Sequence, residues 1–267
     1  MKRRIISTLM AVALTLSLVF TLASCDPWGK FENALKNTFT GEHGYDVVAV
    51  VTGTVEENGV LDEVNIKYEI KIDKTNSAKT CVKITVDGNP ASATTYYTDG
   101  EYVYLNFGNN GVKMTETDFK KSSGWMQEDI RSNLLKPVWG ERDGQINDAD
   151  CTEADGVTVW SRGWAEPTPI AQRHWLMYAP SNVLSNALFA YVEDYDSTAM
   201  YATEFDNANL TATAKDGFVT AITATATLTY EDISATLKAD ITVNNPETDV
   251  SVTLPAGCAS WDEMTFN

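Results

Sequence analysis

The chain is poor in the residues that carry nucleophilic and metal chemistry. It has two histidines, His43 and His174, and four cysteines among 267 residues. No GxSxG or SxxK stretch, which would supply an activated serine, accompanies either histidine. HExxH, CxxC and the cysteine–histidine spacing of metal sites are absent too. We therefore predict a protein that is not an enzyme and that has no cofactor and no metal site.

Basic residues are also scarce, with 20 Lys and Arg against 37 Asp and Glu and a net charge of −17. Three of them, Lys2, Arg3 and Arg4, lie at the very start, so removing the first 24 residues leaves 17 basic against 37 acidic residues, a charge of −20. Such a surface repels nucleic acid and anionic lipid headgroups. We expect no nucleic-acid partner, and the solubility of an exported protein is enough to explain the acidity.

The N-terminus has the organisation of an export signal. A basic start at residues 2–4 is followed by an apolar run from Ile5 to Leu22 and then by Ala23-Ser24-Cys25. This arrangement resembles the lipobox of exported bacterial lipoproteins. The resemblance implies that residues 1–24 are a signal peptide and that acyl chains on Cys25 hold the protein to the bacterial cell membrane or envelope, almost permanently when two or three are present. The alternative is an uncleaved transmembrane helix.

The first mature residues, 25–44, predict a short amphipathic helix. Asp26 is a suitable N-cap and Pro27 a suitable first helical residue. Apolar residues then recur every fourth position along one stripe. They are Phe31, Leu35 and Phe39. Because no long polar tether separates Cys25 from this helix, we expect the folded body to lie close to its membrane.

Residues 45–267 have the length of one large β-rich domain. Apolar and polar residues alternate in several runs, which is the period of a strand with one dry and one wet face. These runs are 64–73, 82–87, 222–230, 233–243 and 250–254. Turn dipeptides stand between strand segments at Asn58-Gly59, Asp99-Gly100 and Asp216-Gly217. Runs linked in this way predict an antiparallel sheet covered on one face.

A different kind of sequence, at about residues 116–198, separates the two β blocks. We predict a helix near 116–135, interrupted at residues 122–124, and a second helix from Ser181 to about Glu193. The stretch 137–180 is interpreted as irregular. Five of the seven tryptophans lie here: Trp125, Trp139, Trp160, Trp164 and Trp175. They either form a lid whose rings contact a ligand, or they fill the core and cap the open sheet.

The run from Tyr96 to Tyr104, followed by Gly111–Met114, resembles a pattern in small bacterial lipoproteins of the LolA/LppX-like group, and so does the closing run Val250–Pro255. The likeness covers about residues 45–120 and 200–260. It implies an α+β, β-dominated fold: a curved antiparallel half-barrel whose concave face is covered by helices. In some members of that group the cavity carries acyl chains. No functional residue can be transferred from it.

Small and apolar residues on the dry face are the candidate contacts for an apolar ligand. They are Ile66, Tyr68, Ile70, Ala224, Ala226, Ala235 and Ala239. The alanines indicate either a close-packed helix or a cavity. If Cys25 is acylated, three cysteines remain and allow three pairings; Cys151 with Cys258, both in predicted loops, is the disulfide candidate.

The sequence therefore predicts an exported, lipid-anchored protein that binds a lipid or another apolar small molecule. The alternatives are a surface carbohydrate-binding protein using exposed tryptophans, and a structural or sensory lipoprotein of the cell envelope. The sequence identifies no protein partner.

Overall fold

One antiparallel sheet makes up most of the chain. The structure is a computed structural model, and it describes residues 27–39, 43–76, 79–89, 91, 93–107, 110–123, 150–164, 168–169, 183–184, 187–188, 190–192, 195, 199 and 202–265. The first strands are β1 (Tyr45–Glu57), β2 (Val60–Ile72), β3 (Thr80–Val86), β4 (Thr94–Thr98), β5 (Tyr102–Phe107) and β6 (Asn110–Thr115). The later strands are β7 (Asp150–Ala154), β8 (Val157–Trp164), β9 (Thr168–Pro169), β10 (Glu204–Lys215), β11 (Phe218–Tyr230), β12 (Ile233–Asn244) and β13 (Asp262–Glu263).

The described strands form one sheet in the order β13-β6-β5-β4-β3-β2-β1-β12-β11-β10-β8-β7, with β9 beside β10. Every pairing is antiparallel except that of β13 with β6. Tight turns join the long central strands. Asn58-Gly59 and Asp216-Gly217 have positive φ at both residues, as predicted for two-residue hairpin turns. In the central strand order, β2-β1-β12-β11-β10, neighbouring strands are joined by hairpins except for β1 and β12, which pair although they are far apart in the sequence.

The two faces of the sheet differ as the alternation predicts. Along β12, residues from Ile233 to Val243 alternate between buried and more exposed positions. The exposed-side residues are polar and pair with one another: Lys71 forms an ion pair with Asp46 at 2.9 Å, and Thr223 donates a hydrogen bond to Asp240. The opposite side chains belong to the core. The sheet thus has one wet face and one dry face.

The dry face is concave. One core cluster extends from Val82 on β3 to Trp160 on β8, across seven adjacent strands. A flat sheet of that width would measure about 29 Å, whereas one helix is only about 10 Å across. Among the described residues few helical ones face this width, and the sheet bends around them. The described fold is therefore β-dominated and resembles a half-barrel.

Two described helices match the sequence analysis. Helix α1 (Pro27–Phe39) contains 13 residues and buries Phe31 and Leu35. Helix α2 (Glu116–Ser123) covers the start of the helix predicted near 116–135 and includes two residues of the predicted interruption, and the rest of that prediction lies outside the described residues. Within the helix predicted from Ser181 to about Glu193, the described residues 183–184 and 187–188 are helical, whereas residues 190–192 are not, so the prediction was too long at its C-terminal end. None of the described helices has the length and apolarity that a membrane crossing requires.

Three expectations were wrong. Residues 150–164, interpreted as irregular, form the β7–β8 hairpin, because Asp155 and Gly156 supply the positive φ of a tight turn. The run 250–254 is extended but forms no strand. The predicted disulfide is not formed: Cys151 lies on the terminal strand β7, whereas Cys258 begins a 3-10 turn that precedes β13 at the other end of the sheet. Both are free thiols.

The C-terminal residues 250–254 are held by hydrogen bonds across one end of the strands. Asp73 accepts hydrogen bonds from the hydroxyl and N–H of Thr75, from the N–H of Asn76, and from the N–H of Val252 at 2.9 Å. These bonds, that of the Thr75 hydroxyl first, hold the pKa of the Asp73 carboxyl well below its usual range. The buried carboxylate thus holds Val252, while Val250 donates its N–H to the carbonyl of His43 and accepts a hydrogen bond from the N–H of Lys74.

Candidate ligand-binding face

The concave face brings the predicted apolar residues together. Ile66, Tyr68 and Ile70 on β2 are at most 4% exposed, and the four alanines on β11 and β12 are at most 3% exposed. Ala224 lies opposite Ala239 in the register. All seven residues belong to one core cluster. Small side chains in the middle of the sheet let the covering elements approach closely.

Helix α1 is the first of these covering elements. Phe31 packs edge-on against Trp160 of β8, with ring centroids 4.9 Å apart. At the other end of the helix, the Thr38 hydroxyl accepts a hydrogen bond from the N–H of Val219 at 2.8 Å and donates one to the carbonyl of Ala34. Both Thr38 and Val219 are fully buried. The helix is therefore attached to the sheet by aromatic packing and by a buried hydrogen bond to the β11 backbone.

The second covering element, here called the covering segment, comprises the described residues between 183 and 199. Its buried apolar residues join the same core, and they are Val183, Leu184, Ala187, Leu188, Val192 and Ala199. The Tyr191 hydroxyl donates to the Asp87 carboxylate at 2.5 Å and accepts from the N–H of Asn65 at 2.9 Å. The Tyr195 hydroxyl forms a hydrogen bond with that of Thr203 at 2.6 Å. Tyrosine hydroxyls thus link this segment to its neighbours.

Part of the concave face is less well covered. Ile84, Val86 and Tyr96, on β3 and β4, lie on the same face as Tyr68 but are only partly buried. Beyond them a second, smaller cluster contains Val103, Leu105, Met114 and Phe119, and Tyr96 contacts Phe119 with ring centroids 5.9 Å apart. The three partly buried residues, here called the apolar strip, therefore lie between the two clusters.

The concave face offers dispersion contacts rather than charge chemistry. Among the described residues, the buried polar side chains are threonines and Asp73, and Asp73 lies beyond the end of β2. Burial raises the pKa of Tyr68 well above its usual range, so its hydroxyl stays neutral. Burial, followed by the hydrogen bond to Asp87, raises the pKa of Tyr191 to about 12.

The remaining predicted site residues have mixed outcomes. Trp160 is 3% exposed and part of the core, and Trp164 lies on β8 opposite Ala208. Three others, Trp125, Trp139 and Trp175, lie outside the described residues, as do Cys25 and His174. His43 pairs with Asp249 at 2.7 Å. In the described part of the chain no group of three or more metal-ligating side chains comes together.

Sequence reasoning missed the polar contacts that attach the two covering elements. Tyr191 falls within the helix predicted from Ser181 to about Glu193, but its partner Asp87 is 104 residues away and the sequence carries no signal that joins them. Thr38 and Val219 are 181 residues apart. Nothing in either local pattern distinguishes these residues from ordinary surface polar groups.

The described residues define a class of fold: a β-dominated protein built on one curved antiparallel sheet. No known protein family and no curated protein matches the sequence. Among solved structures, the chain is similar to a LolA superfamily protein of Nitrosomonas europaea, with 10% identity and a TM-score of 0.29 over 82% of this chain and 93% of that one. It is also similar to a DUF1329 family protein of Desulfovibrio piger, with 9% identity and a TM-score of 0.24 over 85% and 94% of the two chains.

Proposed function

We propose that this protein is an exported, non-enzymatic lipoprotein, anchored through acyl chains on Cys25, that binds a lipid or another apolar small molecule on the concave face of its sheet. The anchor rests on the order of charged, apolar and small residues before Cys25. The binding role rests on the geometry of the concave face.

The observation that carries the binding role is the apolar strip. Ile84, Val86 and Tyr96 continue the dry face of β2 but are incompletely covered by the described residues. Apolar surface left accessible beside a closed core costs free energy in water, at roughly 25 cal/mol per Å². An acyl chain lying along the strip would remove that surface from water without needing any charged partner.

The decisive test measures lipid binding by two matched variants. Ile84→Glu adds a carboxylate to the concave face, and Thr95→Glu adds one to the wet face of the neighbouring strand, where Thr95 lies opposite Lys83. The full chain is titrated with pyrene-labelled phosphatidylcholine, and protein extracted from its own membrane is examined by native mass spectrometry. We expect bound lipid in the natural chain and in Thr95→Glu, and a loss of most binding in Ile84→Glu.

Thermal unfolding of both variants checks that Ile84→Glu remains folded at the temperature of the titration. Equal lipid binding by the two variants, or no lipid on the natural chain in either measurement, would overturn the binding role. The mass of the N-terminal peptide tests the anchor separately, because an unmodified Cys25 contradicts acylation whatever the binding result.

Carbohydrate binding through exposed tryptophans is the second candidate, and Trp160 counts against it because its ring is buried against Phe31. A structural or sensory role would be favoured by a large exposed apolar patch. Among the described residues, the large exposed hydrophobic side chains are Val60, Leu61 and Met264. Val60 and Leu61 lie at the β1–β2 hairpin. These few exposed residues are weaker support for a structural or sensory role than the apolar strip is for ligand binding.

A further inference from the structure

The attachment of α1 restricts how the protein can face its membrane. Only Asp26 lies between Cys25 and Pro27 in the sequence, so these two residues are two chain positions apart, which is at most about 7 Å. Pro27 is the first residue of α1. Whatever path those residues take, acyl chains on Cys25 must leave the protein beside the N-terminal end of this helix.

That end of α1 lies against one edge of the sheet. Lys30 forms an ion pair with Glu153 on β7, and Phe31 packs on Trp160 of β8. In the strand order of the described sheet, β7 is the terminal strand and β8 is next to it. The acyl chains would therefore emerge next to the β7 edge.

The opposite edge lies far from this point. Ten strand spacings separate β7 from β6, which is about 48 Å along the sheet, or about 30 Å in a straight line if the sheet bends into a semicircle. Because the acyl chains would be attached beside the β7 edge alone, they draw that edge, and not the β6 edge, to the bilayer while α1 stays packed on the concave face. Thr38, buried at the other end of α1, keeps the helix from swinging away, because its hydroxyl is bonded to the backbone of β11.

We propose that the β7 edge, together with the N-terminal end of α1, is the surface that meets the bilayer, and that the β6–β13 edge points away from it. This inference rests on the proposed anchor at Cys25 and adds an orientation to it. The bilayer-facing residues include Lys30, whose charge is balanced by Glu153. The chain carries a large negative charge, which repels anionic lipid headgroups. An anchor at one edge keeps the rest of the body away from those headgroups.

The test places a coumarin amino acid at one exposed position in each of four variants of the full, acylated chain. Thr152 reports on β7 and Glu263 on β13, while Leu61 and Asp216 report on the two ends of the central strands. Each variant is incorporated into phosphatidylcholine vesicles that contain phosphatidylcholine with a nitroxide headgroup. We expect most of the fluorescence to be quenched at position 152 and almost no quenching at position 263. Quenching at positions 61 and 216 should be weaker than at position 152.

Stronger quenching at position 263, 61 or 216 than at position 152 would overturn the orientation. If mass spectrometry finds Cys25 unmodified, the anchor fails, but the orientation is still tested. A chain that begins at Cys25 is then joined to a synthetic lipid thioester, which reacts selectively with an N-terminal cysteine, and the four positions are measured again. The same variants without any lipid on Cys25 are the control and should show no quenching at any position.

Discussion

The two covering elements bury the same concave face but are attached to it differently. Helix α1 is held by ring packing and by a buried threonine hydroxyl that accepts a hydrogen bond from a backbone N–H of β11. The covering segment packs leucines into the same core. Its tyrosine hydroxyls form one buried hydrogen bond, between Tyr195 and Thr203, and a partly exposed one, from Tyr191 to Asp87. A buried hydrogen bond is expensive to break, whereas water can replace a partly exposed one. We therefore expect the part of the covering segment around Tyr191 to be released more easily than α1.

The largest effect should come from removing a buried leucine in each covering element. We expect Leu35→Ala in α1 and Leu184→Ala in the covering segment each to lower the free energy of unfolding by about 2–5 kcal/mol. Both residues are at most 3% exposed. Denaturant unfolding measures the loss. Hydrogen exchange sharpens the comparison, because Leu184→Ala should speed exchange in the covering segment while the exchange of α1 stays slow.

Thr38→Val tests the attachment of α1. The variant keeps the shape of the side chain but leaves the N–H of Val219, which is fully buried, without its acceptor. The expected loss in unfolding free energy is about 1–3 kcal/mol. Thr38→Ser keeps the hydroxyl and is the matched control. If Thr38→Val were no less stable than Thr38→Ser, the buried hydrogen bond would not be what fixes α1.

Tyr191→Phe tests the release of the covering segment. It removes the hydrogen bonds to Asp87 and Asn65 while keeping the ring, so the expected loss is about 0.5–1.5 kcal/mol. Hydrogen exchange should rise in the covering segment alone. Tyr102→Phe is the control and should leave that exchange unchanged, because Tyr102 lies on distant β5, where its ring packs beneath Lys113 of β6. Faster exchange in α1 as well would contradict the prediction that the two covering elements open independently of each other.

The smallest effect is expected from the ionisation of Tyr191. It lowers the stability of the protein only in alkali. The pKa of Tyr191 is raised to about 12 in the folded protein, against about 10 for a free tyrosine. A raised tyrosine pKa means that folding favours the neutral hydroxyl, so this stabilisation is complete below pH 10 and is lost as the pH rises through 12. Titration of tyrosinate absorbance should show one fewer late-ionising group in Tyr191→Phe. An unchanged titration would contradict a raised pKa at Tyr191.

Much of the sheet was predictable because its signals are local. The alternation along residues 222–243 and the dipeptides Asn58-Gly59 and Asp216-Gly217 correctly predicted long hairpin strands with one dry face. Prediction was wrong where the local pattern was incomplete. The run 250–254 alternates like a strand, yet Val252 gives its N–H to the Asp73 carboxylate instead of to a neighbouring strand. The β7–β8 hairpin was missed because acidic and aromatic residues obscured its period.

The candidate site was predictable only in part, for the same reason. Ala224 and Ala239 were expected on one face, and they lie opposite each other there. Whether small residues face a cavity or a packed helix depends on what covers them, and no local pattern encodes the cover. The partly covered positions, Ile84, Val86 and Tyr96, could not be distinguished from the other dry-face residues before their neighbours were known.

By itself, the sequence determined where the long central strands run, which side of each of them avoids water, and that α1 starts close to Cys25. Backbone propensity and hydrophobic periodicity act over a few residues, and a single chain displays them directly. Only the tertiary structure decided which edge of the sheet lies beside α1, which hydroxyls attach the covers and which apolar residues stay accessible. Those outcomes depend on contacts between residues more than 100 positions apart, such as Tyr191 with Asp87 and Thr38 with Val219.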